Sequence, residues 1–552
     1  MTNVRERSTA QRPRRQSPAA HGTSTSPLEL TTDVLIIGGG PAATWAAIAA
    51  REAGADVVLV DKGYCGASGV AAAAGIGHWM VPPEARRAAI EQRAGQARQL
   101  ADSRWQLRVL DETWRRLPRL VEWRYPFAID RHGEPVLVTG SGPEYLRTMR
   151  RQVKRSGAQV LDHHPALELL THDGVVVGAA GIQRKTGAPW TVHAGAVVVA
   201  TGGCTWKSNS LGSHVDTGDG QLMAVEVGAR LSSMEFSNYW GMVPAGTSMD
   251  KNGLYMFATY TRADGVPLVG NLMVDRPLLA RHLLDGPVYA QLDRVPDDMV
   301  TNVRGRMVNW RQTFDKLGID PLTQRFEIEL LNEGTVRGTG GLQVRDDSCG
   351  VGVPGLYAAG DVAARDRIVG ASTGAGAPNA AWAVSSGTWS GRAAAHFARR
   401  ERRRPPGTPA GRGGIRPSRA GARPGLWREL LDAVQGELLP LEKNALRTEE
   451  ILIGSLRVLD EVWVAVRDQL RERDAELLRG REVAAMVAMG RWAYRSALAR
   501  PESRGMHYRA DYPDEDPGQR HRLLSGGLDE VWVRIDPEPV DTGNLEILES
   551  AS

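Results

Sequence analysis

DVLIIGGGPAATWAAIAAREAGADVVLVDK, residues 33–62, decides the fold. Val34 to Ile37 is an apolar, Val/Ile-rich run of the kind that forms a buried parallel strand. It breaks into Gly38-Gly39-Gly40, passes into an Ala-rich segment with helical spacing, and returns to a second apolar run, Val57 to Val60, ending on Asp61. The pattern predicts a βαβ unit with a G-x-G-x-x-A turn. Asp61 follows Gly38 by 23 positions, near the ~20 expected of an acid that meets a ribose. Gly38 permits the tight turn, Gly40 lets the backbone approach a pyrophosphate, and Ala43 keeps helix and strand close. The helix N-terminus then offers unpaired N–H groups and a positive dipole end to phosphate. A lone motif of this kind also occurs in unrelated α/β domains; two correctly placed strands and a spaced acid favour dinucleotide binding.

The chain has 552 residues, enough for two or three domains with substantial cores. Hydrophobic content of 42% and charged content of 24% are those of an ordinary globular protein. The formal net charge is +4, with basic residues concentrated in an N-terminal tail (Arg5, Arg7, Arg12, Arg14, Arg15) and in an Arg/Pro/Gly-rich stretch from Arg399 to Pro424. Neither run carries aromatic interleaving or a nucleic-acid motif, so both read as solvated segments and no nucleic-acid partner is expected. No apolar stretch approaches the ~18 residues of a membrane span. Arg14-Arg15 is followed by Gln16-Ser17-Pro18 in place of an apolar core, which argues against an export signal and for a cytoplasmic protein. The three cysteines, Cys65, Cys204 and Cys349, are far apart and form no C-x-x-C pair. Neither a disulfide framework nor an iron–sulfur cluster is expected, nor any metal site.

Two later stretches extend the first. Ala196 to Gly203 is another buried strand running into a glycine pair (AVVVATGG), and Gly355 to Asp361 reads GLYAAGD. These resemble the strand-plus-ATGG and GLYAAGD segments of two-dinucleotide-type flavoproteins, where the acid meets the ribitol hydroxyls of FAD. Thr217-Gly218-Asp219-Gly220 with Met234-Glu235-Phe236, and the string ESRGMHYRADYP from Glu502 to Pro513, resemble segments of the succinate dehydrogenase and fumarate reductase flavoprotein family. That family also includes L-aspartate oxidase and the flavin subunit of adenylylsulfate reductase. The resemblance covers most of residues 33–540 and is weakest over the expected cap, residues 236–327. It implies FAD, held by Gly38, Gly40, Ala43, Asp61, Lys62, Ser68, Gly69, Thr201, Gly202, Asp219, Gly360 and Asp361. Relatives that tether the flavin use a His in an SHT-like string; the matching stretch here, Gly66 to Ala72, has no His until His78. Non-covalent FAD is therefore expected.

The expected architecture is α/β: a discontinuous Rossmann-like FAD-binding domain (29–235 and 328–398) with an inserted α+β capping domain (236–327) and a C-terminal helical domain (427–552). A disordered basic tail (1–28) precedes it, and the Arg/Pro/Gly linker (399–426), which cannot form a packed core, joins its parts. Leu452, Leu456, Leu459 and Val462 recur at helical spacing, and Val531 to Ile535 reads as a closing β element.

Relatives exchange hydride at flavin N5 while an arginine in an R-x-x-x-A-R context moves the proton. Arg276 to Arg281 (RPLLAR) matches, which makes Arg276 a candidate catalytic residue; the competing reading is an ion-paired arginine at a helix start, where Pro277 fits the first turn. The dicarboxylate-binding residues are missing. Where relatives carry HYTMGG, this chain has Val336-Arg337-Gly338-Thr339-Gly340-Gly341, and where they carry GANRL it has Gly370 to Gly376 (GASTGAG). Arg337 and Arg367 are candidates to take over anion binding, with a structural role as the alternative for each. Succinate, fumarate and aspartate are disfavoured as substrates. The small residues from Gly370 to Ala381 read either as a widened pocket beside the flavin or as close helix packing.

The expected function is FAD-dependent dehydrogenation or reduction of a small metabolite. One alternative is a flavin electron-transfer subunit working with a small iron–sulfur protein, as the adenylylsulfate reductase resemblance implies; another is a flavin-stabilised binding protein without turnover.

Overall fold

A computed structural model describes residues 27–130, 132–250, 253–296, 299–300, 308–373, 376–401, 405–411 and 423–541. Residues 1–26 of the expected basic tail lie outside these, as do Gly374 and Ala375 and much of the expected linker.

The βαβ unit forms as its periodicity requires. The strand Leu28–Ile37, the helix Pro41–Glu52 and the strand Val57–Asp61 follow one another, and the strands pair in parallel with Ile37 opposite Val60. Val34, Leu35 and Ile36 are fully buried, because helices cover both faces of a parallel sheet. Pro189–Val199 pairs on the other side of the first strand, and Leu356–Ala358 adds to Pro189–Val199, again in parallel. The carboxyl ends of four strands, at Ile37, Asp61, Val199 and Ala358, therefore lie along one edge of an eight-stranded sheet. Cofactor clefts of open α/β sheets form at such edges.

Helix Pro41–Glu52 packs closely against the long helix Ala377–Arg400. A Cβ on Gly387 would stand 2.4 Å from the Ala42 carbonyl oxygen, and one on Gly391 2.2 Å from that of Ala46. Those two glycines set the distance between the helices and hold the first helix's N-terminus over the cleft.

A second, antiparallel sheet has the order Tyr239–Pro244, Phe326–Glu333, Val288–Gln291, Thr259–Arg262. With the helices Arg276–Asp285 and Val308–Leu317 it encloses its own core of Trp240, Tyr255, Leu279, Trp310, Phe314 and Phe326. The strand Phe326–Glu333 crosses the 327/328 boundary expected for the cap, so residues 328–333 run in the cap's sheet.

The helices Trp427–Leu438, Glu449–Asp468 and Leu477–Leu498 form the C-terminal bundle, with Leu452, Leu456, Leu459 and Val462 on the buried stripe. Beyond them the described residues hold no α-helix, only a single 3-10 turn at Pro517–Gln519. The strands Leu523–Gly526 and Trp532–Ile535 form a hairpin that extends Leu231–Ser232 and Gly341–Leu342 into a four-stranded sheet. The described part of the linker also departs from expectation: Thr408–Pro409 adds an edge strand to Ala166–His172, where a proline is tolerated, and Gly411 N–H donates to Glu168 at 3.1 Å. Among the described residues no helix is long and apolar enough to cross a membrane.

Candidate functional site

A cleft of about 1390 Å³, counted to its open mouth, lies along the strand ends. Its wall includes Gly38, Gly40, Asp61, Lys62, Ser68, Gly69, Thr201, Gly202, Asp219, Gly360, Asp361 and Arg337. Eleven of the twelve expected cofactor residues are thus brought to one surface. Ala43 is the exception: it is fully buried behind the turn, in the packing role its place in the motif implies.

The glycines do different work. Gly38 has φ 125°, and a Cβ there would stand 2.1 Å from the Ala200 carbonyl oxygen, so the turn itself demands glycine. At Gly40, Gly69 and Gly376 a Cβ would meet no protein atom within 4 Å; their bare backbone faces open space at the cleft. Thr201 Oγ1 and Asn379 Oδ1 line the same cleft, buried and without a protein hydrogen-bond partner. Open backbone at a helix N-terminus, with polar atoms awaiting partners, suits a dinucleotide carrying phosphate and sugar hydroxyls.

Asp61 ends its strand almost fully buried. One of its oxygens accepts from Gly63 N–H at 3.1 Å. Burial pushes its carboxyl up to about 6, with Asp162 adding to the rise and the Gly63 hydrogen bond, Lys62 and Arg150 opposing it. Asp361 is gripped by Arg365, a residue that motif reading overlooked. Arg365 is buried, pairs with Asp361, and donates to the carbonyls of Thr335 at 2.8 Å and Val336 at 3.1 Å and to that of Gly338. It therefore ties the acid of the third signature to the turn that carries Arg337.

Lys62, expected among the FAD-binding residues, is held by protein partners. Its ammonium donates to Asp219 at 2.6 Å, Thr217 Oγ1 at 2.8 Å and Glu482 at 3.2 Å. Glu482, on helix Leu477–Leu498, also receives Lys207 at 2.8 Å and Arg479 at 3.1 Å. Burial alone would raise the Glu482 carboxyl, but Lys62 and Lys207 pull it down to about 2. Lys62 and Asp219 thus neutralise each other at the wall and fasten the C-terminal bundle to the cleft.

Arg276 and Arg337 meet at one side chain, Tyr239. The Arg337 guanidinium lies 5.3 Å from the ring centroid and that of Arg276 5.9 Å. Arg337 lines the cleft, with its Nε 3.7 Å from buried Glu333. Burial works against its charge, yet Glu333, with Tyr239, Asp250 and Asp361 nearby, raises its proton affinity above the ordinary value. Arg276 opens its helix, capped by Asp275, whose side chain accepts from Leu278 N–H at 2.9 Å. It donates to the Leu272 carbonyl at 3.0 Å, while its Nε is buried without a partner. Arg367 is elsewhere, paired with Glu538 and Asp102.

Only part of the small-residue stretch faces the cleft. Gly376 and Ala380 line it, whereas Gly370 (φ 59°) has the Ala97 carbonyl 2.1 Å from where its Cβ would be, and Ala371 is fully buried. The ESRG string is a buried ion-pair cluster: Arg500 contacts Glu235 and Glu502 at 2.9 Å each, and Arg504 contacts Glu502 at 2.8 Å. It locks the end of the bundle to the Met234-Glu235-Phe236 turn. Among the described residues no group of three or more His, Cys, Asp or Glu is arranged to hold a metal.

Two family models match the chain: the FAD binding domain over residues 33–269 and the fumarate reductase flavoprotein C-terminal domain over 445–549, together more than half of its length. The chain belongs to the succinate dehydrogenase/fumarate reductase flavoprotein family. It is an FAD-dependent oxidoreductase. A fumarate reductase flavoprotein subunit of Mycobacterium tuberculosis is 26% identical, the alignment covering 88% of this chain and 92% of that one. Among solved structures, Mycobacterium smegmatis Sdh1 in complex with UQ1 superposes with a TM-score of 0.79 at 23% identity, covering 95% of this chain and 97% of that one. Adenosine-5-phosphosulfate reductase in complex with sulfite gives 0.75 at 18%, covering 94% and 98%. At these identities the two structures speak for the shared flavoprotein fold.

Proposed function

We propose that this flavoprotein dehydrogenates or reduces a small metabolite held between the FAD cleft and the cap, beside Tyr239. One observation carries the reading: Arg337, in the cleft wall, and Arg276, at the cap's helix start, converge on the same tyrosine ring. Bound FAD supplies a two-electron centre that accepts or gives hydride. Arg337, whose acidic neighbours hold its proton firmly, binds and orients the substrate. Arg276 presents a partnerless buried Nε–H and is the proposed group for moving a proton to or from the substrate.

Replacement of Arg337 by Met tests the reading. FAD content is expected to stay near that of the parent, while substrate-dependent anaerobic bleaching of the flavin falls by at least about 100-fold, in the range of a lost positioned charge. Unchanged bleaching would sink the assignment.

Electron exchange with a small iron–sulfur protein belongs to the same proposal. Each of the three cysteines is free and buried, so any cluster the reaction uses is carried by another polypeptide. Free thiols also suit a reducing, cytoplasmic compartment.

A further inference from the structure

The surroundings of Tyr239 contain as many carboxylates as guanidinium groups. Arg337 faces Glu333 at 3.7 Å, and Arg365 pairs with Asp361. Asp250 lies against the same wall: a Cβ on Gly241 would stand 2.5 Å from Glu333 Oε1 and 2.9 Å from Asp250 Cβ. Asp250 and Arg276 both act electrostatically on the buried Tyr255 hydroxyl. Against the charges of Arg276, Arg337 and Arg365 stand those of Glu333, Asp250 and Asp361.

A site that grips a dicarboxylate needs uncompensated cations, because stripping water from two carboxylates is costly and must be repaid by ion pairs. Here Arg337 and Arg365 are each paired with an acid, Glu333 and Asp361, and buried Asp250 balances the charge of Arg276 within the same group of residues. A dianion would meet no net positive charge, because Glu333 and Asp250 lie close behind the arginines as like charges. An uncharged polar molecule pays no such penalty, and it can receive hydrogen bonds from Arg276 and Arg337.

We infer that the substrate of this site is an uncharged polar molecule, and that Glu333 sets this selectivity by neutralising Arg337. The inference rests on the proposed location of the substrate beside Tyr239.

Succinate, succinamate and succinamide form a size-matched series carrying two, one and no negative charges. Their binding is read from the absorbance change of the bound flavin in the FAD-loaded, full-length protein. Succinamide is expected to bind at least about tenfold more tightly than succinate, with succinamate between, since a like-charge juxtaposition in a desolvated site costs at least that factor. Glu333→Gln frees the Arg337 charge and should shift the succinate/succinamide affinity ratio toward succinate by about tenfold or more. If Glu333→Gln does not fold, the order in the parent protein decides alone. Succinate binding as tightly as succinamide would overturn the charge inference and leave the redox site standing. If none of the three perturbs the flavin, the location beside Tyr239 falls, and the inference with it.

Discussion

Buried Arg365 forms an ion pair with half-buried Asp361, and the same guanidinium also holds the carbonyls of Thr335, Val336 and Gly338. One side chain therefore fixes both the acid of the third signature and the turn presenting Arg337. Removing Arg365 leaves the half-buried Asp361 and three carbonyls without their donor, at a cost of about 1–3 kcal/mol. Arg365→Met is expected to lose that much stability in denaturant unfolding and to release FAD more readily, with Arg365→Lys recovering part of both. Parental unfolding midpoint and FAD content in Arg365→Met would show that the pair does neither job.

Asp61 makes cofactor binding depend on pH. Its folded carboxyl is pushed up to about 6, above the ~3.9 of an unfolded aspartate. A raised acid contributes stability that is present below the unfolded value and is lost as pH rises through the folded one. The FAD-free protein should therefore lose up to about 3 kcal/mol from this group between pH ~4 and ~6. Ribose hydroxyls donate to the ionised form and lower its pKa, so FAD binds more tightly as pH rises from about 5 to 7 and a proton is released. Calorimetry in two buffers of different ionisation enthalpy measures that proton; Asp61→Asn should abolish it. Proton uptake on FAD binding, or none, would contradict the assignment.

The opposite sign applies at Glu482. Its carboxyl sits at about 2, below the ~4.3 of an unfolded glutamate, because Lys62 and Lys207 outweigh its burial. Its stabilising contribution is present above ~4.3 and is lost as pH falls toward 2. Glu482→Gln leaves Lys62 and Lys207 with less compensation and should cost about 3–5 kcal/mol at pH 7. It should also loosen FAD, since Lys62 would then draw Asp219 away from the cleft. Acid titrations that superpose for parent and variant would remove Glu482 from this role.

The contrast between Asp61 and Lys62 shows what could be read in advance. Asp61 follows from a local pattern of strand, glycine turn, helix and strand, each element set by near neighbours. Lys62 is adjacent in sequence, but its partners Asp219 and Glu482 lie 157 and 420 positions away, and only tertiary packing brings them together. The Tyr239 site was hidden for the same reason. Trp240 pairs with Asn332 across the cap sheet, and Tyr239 bridges to Gly334, which sets the tyrosine beside Glu333 and Arg337. No spacing rule relates residues across such a register. Arg365 carries a faint signal, an arginine four positions after the acid of GLYAAGD that directly follows small residues.

The flavin is expected to be held without a covalent bond, and the positions of the two nearest nucleophiles argue for it. Ser68 and Gly69, in the stretch where tethering relatives place a histidine, line the cleft and offer no nucleophilic nitrogen. His78 is buried against Tyr145, ring centroids 5.5 Å apart, and is not part of the cleft wall. Burial lowers its pKa to about 4, so it stays neutral but out of reach. Cys65 is also buried away from the wall, and burial together with the charge of Asp61 pushes its thiol up to about 12, which suppresses the reactive thiolate at neutral pH. Acid precipitation of the yellow protein should release all of its flavin into the supernatant. Flavin fluorescence that stays with the denatured chain would contradict this, and its loss in His78→Ala or Cys65→Ser would identify the attachment atom.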